Sequence, residues 1–309
     1  AGIDVNKMSK TVPTGTDAGA ITAEAAEKTG LAPSTHIVSI SHDQVSAAIG
    51  AGAFDSSVAV DGAGTVECVT PIYDSIPDID AMYDGYFSIV PYVIPGKYVA
   101  YAFSYTGGAL IQWCVDNLAK DEKRAAADKD MSVNEYLEKK YAEERGEENP
   151  SNLLILPHFA GAATPYMDTG SKGAILGLTT DTTVADIYRG CMEGVVYEML
   201  VNTSALKKSG CKFKKLNATG GGARSGEWMQ MKADMLNVPI TALKTVDAGT
   251  VGSAMLTGIA TGVFKDLNDA AEHMVEETVE YLPRKEMHEK YMHIFERYAK
   301  VYQAVRPLV

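Results

Sequence analysis

The sequence has no long apolar run that is free of polar groups. The nearest candidate is segment 98–115, which is nearly long enough to span a bilayer. It contains Ser104, Thr106 and the pair Gly107-Gly108, so strand, turn and helix describe it better than a membrane span. The chain opens Ala-Gly-Ile-Asp, without the basic-then-apolar pattern of a secretory signal. We therefore expect no membrane partner.

Cysteine and positive charge are also scarce. The four cysteines are far apart in the chain and form no Cys-x-x-Cys, which is typical of reduced thiols in a cytoplasmic protein: Cys68, Cys114, Cys191 and Cys211. The net charge of −12 argues against nucleic acid as the main partner, because binding its backbone requires clustered Lys and Arg. A small phosphate ligand held by backbone amides stays compatible with this charge.

Two common nucleotide-binding motifs are absent, namely the P-loop Gly-x-x-x-x-Gly-Lys-Ser/Thr and the dinucleotide fingerprint Gly-x-Gly-x-x-Gly. The chain instead carries the glycine-rich segment 217–225, Asn-Ala-Thr-Gly-Gly-Gly-Ala-Arg-Ser. Residues 211–216 alternate as in a short strand, and Ser225 suits the N-cap of a helix over about 227–236. Backbone N–H groups of such a turn can approach a phosphate closely, although a tight turn without a ligand fits three glycines equally well.

Two further strand-to-glycine turns accompany this segment. Residues 57–61 and 68–69 predict a hairpin around Gly62-Ala63-Gly64-Thr65, and the predicted strand 98–105 leads into Gly107-Gly108. Several backbone-rich turns that converge on one cleft would bind polyphosphate without a P-loop lysine. We therefore expect the three turns to meet.

One aspartate has the position that phosphoryl transfer requires. Residues 37–40 predict a buried strand that ends at His42-Asp43. An aspartate at the C-terminal end of a buried strand, facing a phosphate cleft, can act as general base for a substrate hydroxyl. The alternative is that Asp43 is the N-cap of a helix beginning near Val45, and the two roles can coexist.

The other segments predict helices and loops. Segments 45–52 and 250–264 are rich in small residues: the first predicts a helix packed closely on a sheet, and the second predicts a helix that allows close backbone packing. Ser132 begins a capping box, which predicts a solvated, peripheral helix. Residues 73–92 show no clear period and predict irregular structure, whereas 283–305 predicts one amphipathic helix.

These motifs resemble the FGGY family of carbohydrate kinases, specifically its C-terminal portion, and the resemblance runs over nearly the whole chain. The residues that carry it are Pro13, Gly15, Gly19, Thr29-Gly30-Leu31, His42-Asp43-Gln44, Ala47, Gly50, Gly52, Gly64-Thr65, Gly107-Gly108, Trp113, Gly220 to Ser225, Trp228, Gln230 and Asp234. The resemblance implies the following roles: Asp43 as catalytic base, Gly64 and Thr65 as a phosphate-binding hairpin, Gly107 and Gly108 as a nucleotide-contacting turn, and Gly221, Gly222 and Ser225 as the adenosine motif.

The resemblance also implies a fold and a domain organisation. The expected class is α/β, an actin-like ATPase (ribonuclease H-like) domain with a mixed sheet flanked by helices. Family members have two such domains, and the first carries most sugar contacts. We therefore expect residues 1–56 to be the tail of the first domain, with the catalytic Asp43, and residues 57–309 to be the nucleotide-binding C-terminal domain. Val66 departs from the family, since the hairpin motif often has Ser or Thr there.

The activity that the resemblance implies is transfer of the γ-phosphate of ATP, with Mg²⁺, to a hydroxyl of a sugar or polyol. The expected partner is a small molecule, with a homodimer as one assembly found in the family. A chain without the first domain should bind nucleotide but turn over no sugar. The sequence identifies neither the sugar nor the ligands of the Mg²⁺.

Two other classes of protein are alternatives to a kinase. A metal hydrolase built from His42, Asp43, His158 and Asp168 lacks any His-x-x-x-His or Glu-x-x-His pair, and His158 is better explained by packing or hydrogen bonding in its loop. A non-catalytic actin-like ATP-binding module is the second alternative, although a pure scaffold needs no carboxylate at the position of Asp43.

Overall fold

The structure, a computed structural model, describes residues 2–309. The strands in chain order are β1 Thr16–Ala20, β2 His36–Ser39, β3 Val58–Ala63, β4 Glu67–Tyr73, β5 Ser88–Pro91, β6 Tyr98–Ser104, β7 Leu154–Leu156, β8 Ala174–Leu176, β9 Lys215–Thr219, β10 Ile240–Leu243 and β11 Glu277–Tyr281. The α-helices are α1 Ala23–Thr29, α2 Asp43–Gly50, α3 Ile79–Asp84, α4 Gly108–Asn117, α5 Lys120–Ala127, α6 Val133–Arg145, α7 Val184–Lys208, α8 Gly226–Leu236, α9 Ala248–Ala260, α10 Leu267–Met274, α11 Lys285–Tyr298 and α12 Val301–Val305. No helix among these residues is long and apolar enough to cross a membrane.

The chain forms two compact units. The first contains the residues up to Gly52 together with Asp247–Val275, and the second contains Ala53–Val246 and Glu276–Val309. The first unit therefore ends close to the predicted boundary at residue 56, but it also takes in α9 and α10 from far along the chain. The assignment of these parts to the two family domains stays a prediction.

The second unit is built on a seven-stranded sheet in the order β11-β10-β9-β3-β4-β6-β5. Strand β3 pairs parallel with β9 and β9 pairs parallel with β10, whereas the other neighbours are antiparallel, so the sheet is mixed. Every residue of β4 is buried, as expected for a central strand. Helix α7, 25 residues long and begun by a capping box at Thr183, packs on this sheet and on α4 and α8. The predicted α/β class with a mixed sheet flanked by helices is confirmed.

The first unit is held together by two glycines on facing helices. A Cβ on Gly50 would lie 1.9 Å from the carbonyl oxygen of Ala248, and one on Gly252 would lie 1.9 Å from that of Ser46. Only glycine therefore lets α2 and α9 approach this closely. The close backbone packing predicted for segment 250–264 is confirmed, whereas segment 45–52, which was predicted to pack on a sheet, packs on α9 instead.

Three other local predictions were wrong. The strand predicted to be buried, β2, belongs to a two-stranded sheet, and Ile37 there is 52% exposed. Segment 73–92 contains α3 and β5, which are too short to produce a visible period in the sequence. The predicted helix 283–305 is divided into α11 and α12. Tyr298 and Val301, on either side of the break, are both buried, so the apolar periodicity continues across it and does not show where α11 ends.

Candidate active site

The three glycine turns line one cleft in the second unit, with a volume of about 1400 Å³. The turn residues on its wall are Gly64, Thr65, Gly108, Gly220, Gly221 and Gly222. The prediction that the three turns meet at one cleft is thus confirmed. The proposed roles of these residues with a nucleotide stay predictions.

Strand register explains why the turns meet. In the parallel pair β3 and β9, Gly62 lies opposite Thr219, so both strands release their following turns at the same edge of the sheet. Strand β4 begins at Glu67, opposite Ser104 at the end of β6, and β6 leads directly into the Gly107 turn. Segments that are about 40 and 115 residues away from Gly107 in sequence are therefore adjacent in space because the sheet fixes their ends.

The loop after β9 has one glycine that faces open space. Gly220 has a φ of +96°, and a Cβ there would lie 2.5 Å from the carbonyl oxygen of Ala63. A Cβ on Gly222 would lie 2.6 Å from the ring of Trp228. Around Gly221, in contrast, a Cβ would have nothing within 4 Å. Gly220 and Gly222 are therefore required by packing, whereas Gly221 leaves room on the cleft side.

The Gly107-Gly108 turn holds the hairpin between β3 and β4. The N–H groups of Gly107 and Ala109 donate to the carbonyl oxygen of Thr65 at 2.9 and 3.1 Å, and that of Gly108 donates to the carbonyl oxygen of Gly64 at 2.9 Å. A Cβ on Gly107 would lie 2.9 Å from the carbonyl carbon of Val66. These amides are already engaged, so the turn shapes the cleft by fixing the hairpin.

A buried charge cluster anchors the same hairpin from the sheet side. The Lys232 ammonium, on α8, donates to Asp61 at 2.8 Å and to Glu67 at 2.6 Å, and all three residues are almost completely buried. Burial and the Asp61 carboxylate raise the pKa of Glu67 well above its usual range. Burial alone would lower the pKa of Lys232, but the two carboxylates hold it above its ordinary value. The cluster joins the hairpin of β3 and β4 to the helix that follows the glycine loop.

Ser225 caps α8 as predicted. Its hydroxyl accepts a hydrogen bond from the N–H of Trp228 at 3.1 Å and donates one to Glu138 of α6, also at 3.1 Å. Burial raises the pKa of Glu138, and the Ser225 hydroxyl offsets this only in part. The Ser225 side chain is thus fixed from both sides at the wall of the cleft.

Several cleft residues were missed by the sequence reasoning. Two helices contribute polar side chains that were not singled out: Gln112, Asp116 and Asn117 from α4, and Asn134, Glu135 and Glu138 from α6. Trp113 of α4, which is part of the resemblance, also lines the cleft. Helix α6 begins at the predicted Ser132 cap, but its first half lines the cleft, so its description as peripheral was wrong. No local signal distinguishes this face, because its polar residues are also those of a solvated helix.

Asp43 belongs to the first unit, whereas the three turns belong to the second. It is the first residue of α2, and its neighbour His42 is the N-cap, so the alternative cap assignment was off by one residue. The Asp43 side chain is 79% exposed. Its carboxylate accepts the N–H of Gln44 at 2.7 Å and lies 3.1 Å from the His42 ring nitrogen.

The metal-hydrolase alternative has no support. His158 is buried between the hydroxyl of Ser171 at 2.8 Å and the carboxylate of Glu198 at 3.2 Å, as expected for a residue that stabilises its loop. Asp168 is paired with Arg306 and accepts a hydrogen bond from Tyr302 at 3.0 Å. Within residues 2–309, no group of three or more His, Cys, Asp or Glu side chains could hold a metal ion.

The structure thus defines an α/β protein with a mixed sheet, in which glycine turns at the strand ends line one cleft. Comparison with known proteins makes this specific. The model of the C-terminal domain of the FGGY family of carbohydrate kinases matches residues 63–261, more than half of the chain. The chain belongs to this family.

Individual relatives agree with this assignment. The chain is 26% identical to a xylulose kinase of Staphylococcus epidermidis over 288 residues, covering 93% of this chain and 54% of the relative. A ligand-bound xylulose kinase structure from Lactobacillus acidophilus has a TM-score of 0.79 at 24% identity, covering 96% of this chain and 57% of that one. The Plasmodium falciparum glycerol kinase with ADP has a TM-score of 0.73 at 18% identity, covering 93% and 55%.

These structural likenesses show the fold, which is the actin-like ATPase fold of the FGGY kinases. The chain spans about half the length of the curated relatives that it matches.

Proposed function

We propose that the chain is the nucleotide-binding part of an ATP-dependent carbohydrate kinase, which transfers the γ-phosphate to a sugar or polyol hydroxyl. The observation that carries the proposal is the cleft on which three glycine turns converge, with Gly221 facing open space. The relatives add support, since they are named xylulose kinase and glycerol kinase, and one was solved with ADP.

The residues present fit a nucleotide. Gly221 leaves a space that any side chain would fill, and the exposed amides of Gln112 and Asn117 offer hydrogen bonds along the same cleft. ATP, when bound, supplies the phosphoryl group. The hairpin at Gly64 and Thr65 would lie along its phosphates, where fixed backbone dipoles stabilise developing negative charge. Mg²⁺ would bind with the phosphates of the nucleotide, since one or two carboxylates and waters complete its ligands beside them, and it would neutralise charge on the phosphates.

Asp43 is proposed as the general base. Its carboxylate is exposed and accepts one hydrogen bond from its own helix, so it keeps capacity to accept the proton of a substrate hydroxyl. A carboxylate with this exposure has no packing role in the first unit. This favours the kinase over a non-catalytic ATP-binding module.

The organisation of the protein follows as part of the proposal. Residues 1–56 would be the end of the sugar-binding domain, and residues from 57 onward would form the nucleotide domain, with 247–275 packed in the first compact unit. We propose a cytoplasmic location, since the four cysteines are free thiols, and a homodimer as the assembly to test.

Nucleotide binding is tested by calorimetric titration of ADP and MgATP into the wild-type chain and a Gly221→Val variant. Wild type should show saturable binding. The variant should lose about tenfold or more in affinity, because its side chain occupies the space around Gly221. An unchanged melting temperature would show that the variant is folded. Equal affinity in the two proteins would contradict the assignment of Gly221 to the nucleotide site.

The transferase step is tested by sugar-dependent ADP release, with xylulose, glycerol and gluconate as acceptors. The chain alone should release none, and release by the chain alone would overturn only its proposed inactivity. In a full-length protein that phosphorylates a sugar, Asp43→Asn should abolish turnover, while the affinity for nucleotide should be retained. The matched control is Asp80→Asn, an exposed aspartate in the first turn of α3, which should keep full activity. Retained turnover in Asp43→Asn would contradict its role as base.

A further inference from the structure

Ser225 has no proton left to offer a ligand. A serine hydroxyl has a single donor, and here it is given to the carboxylate of Glu138 at 3.1 Å. One of its lone pairs is also used, because the N–H of Trp228 donates to the same oxygen. The Ser225 side chain, which belongs to the adenosine motif, therefore fixes the position of the Glu138 carboxylate instead of donating to a ligand.

Glu138 is held at the cleft wall without a cationic partner of its own. Arg189 lies in its neighbourhood, but that guanidinium donates to Glu193, Glu227 and the hydroxyl of Tyr291. The Glu138 carboxylate thus has one neutral donor, Ser225, while a carboxylate can accept about four hydrogen bonds. A half-buried carboxylate with spare acceptor capacity is completed by a ligand that brings an N–H or O–H group.

The position of Glu138 along the cleft fits the nucleoside rather than the phosphates. Residues Gly221–Arg224 form a short 3-10 helix, with a rise of roughly 2 Å per residue. Ser225 therefore lies roughly 8 Å further along the loop than Gly221. If the phosphates lie at Gly221 and the hairpin, Glu138 is beyond them, beside the part of the nucleotide that carries its hydrogen-bond donors.

We propose that Glu138 is a specificity-determining residue, whose carboxylate accepts a hydrogen bond from the nucleoside, either from the ribose 2′-hydroxyl or from the exocyclic amine of adenine. This inference rests on the proposed nucleotide function. Ser225 acts as the positioning residue that orients the carboxylate. Nucleosides that present an acceptor at the same place are rejected, because two acceptors then face each other.

The Glu138→Gln substitution inverts this chemistry at constant shape. The amide oxygen can keep the hydrogen bond from Ser225, and the amide nitrogen then presents a donor to the cleft. An adenine amine would meet a donor, whereas the 6-oxo group of hypoxanthine would gain a partner. If a ribose hydroxyl is the ligand group, the base has no influence and only the sugar analogue responds.

The experiment is calorimetric titration of ADP, 2′-deoxy-ADP and IDP into the wild type and the Glu138→Gln variant. Wild type should bind one of the two analogues about tenfold or more weakly than ADP. If the amine is the donor, IDP should bind Glu138→Gln at least as well as ADP. If the ribose hydroxyl is the donor, it can instead accept from the Gln amide, so the ratio of the affinities for ADP and 2′-deoxy-ADP should fall to near one in Glu138→Ala rather than in Glu138→Gln. The matched control is Glu143→Gln, an exposed glutamate further along α6 that does not line the cleft, which should keep the wild-type ratios.

The outcomes separate this inference from the function on which it rests. Equal affinity of the wild type for all three nucleotides, or ratios that keep their wild-type values in Glu138→Ala, overturns the role of Glu138 and leaves the nucleotide site standing. Failure of the wild type to bind any nucleotide overturns both. In Glu138→Ala, with folding checked by melting temperature, the ratio of the affinities for ADP and its analogue should fall to near one. If the ratio changed only in Glu138→Gln, the new amide would be its cause, and this would also count against the proposal.

Discussion

The turn at Gly107-Gly108 and the loop at Gly220-Gly221-Gly222 look alike in sequence but differ in what their glycines do. At Gly107 the missing side chain allows contact with the backbone of Val66, and the amides around it are donated to the hairpin. At Gly221 the missing side chain leaves empty space on the cleft side. One glycine thus allows close packing inside the protein, and the other leaves open space at the cleft.

This difference teaches how a glycine motif should be interpreted. The surroundings of an imaginary Cβ separate the two roles: contact with fixed backbone indicates packing, whereas open space in a cleft indicates access. The following substitutions test that separation, and each is measured by denaturant unfolding at pH 7.

The largest effect is expected from Lys232→Met, which removes the cation beneath the hairpin that the Gly107 turn holds from the side. Asp61 and Glu67 would then be buried without their partner, so the unfolding free energy should fall by about 3–5 kcal/mol. Lys208→Met, at the exposed end of α7, is the control and should change it by less than about 0.5 kcal/mol. A small loss in Lys232→Met would show that the hairpin does not depend on this anchor.

Gly220→Ala should cost about 2–4 kcal/mol. The added Cβ meets the carbonyl of Ala63, and the φ of +96° is unfavourable for alanine. Gly220 belongs to the loop that lines the cleft. A destabilised Gly220→Ala variant would therefore show that one loop contains both a glycine required for packing and, at Gly221, a glycine that leaves open space. Stability close to wild type would mean that the loop can relax, and would weaken the argument from Cβ contacts.

Gly107→Ala should cost about 1–3 kcal/mol, because the Cβ would overlap the backbone at Val66, where no flexible side chain can move aside. Nucleotide affinity should fall with it, since the hairpin would shift. If stability stayed unchanged while affinity fell, Gly107 would belong with Gly221 among the ligand-facing glycines.

The smallest effect on stability is expected from Gly221→Ala, below about 0.5 kcal/mol, because its Cβ meets nothing within 4 Å. Its nucleotide affinity should nevertheless decrease, and calorimetry with ADP measures this. A clear loss of stability in Gly221→Ala would remove the distinction between the two turns.

The sequence predicted the elements around the site with good accuracy. The caps at Ser132 and Ser225 and the hairpin between β3 and β4 all depend on local chemistry, namely a hydroxyl at an N-cap or glycine in a tight turn. The sequence prediction was wrong about the burial of β2, because burial depends on which segments cover a strand, and the local sequence does not contain this information.

What the sequence determined by itself is the family and the local structure of the turns, because caps, glycines and strand patterns act over a few residues. The tertiary structure decided which glycine faces the cleft, and that α6 brings Glu138 to Ser225 across 87 residues of chain. It also decided that Lys232 is buried against Asp61 and Glu67. These contacts follow from sheet register and helix packing, which join residues that no window of the sequence contains together.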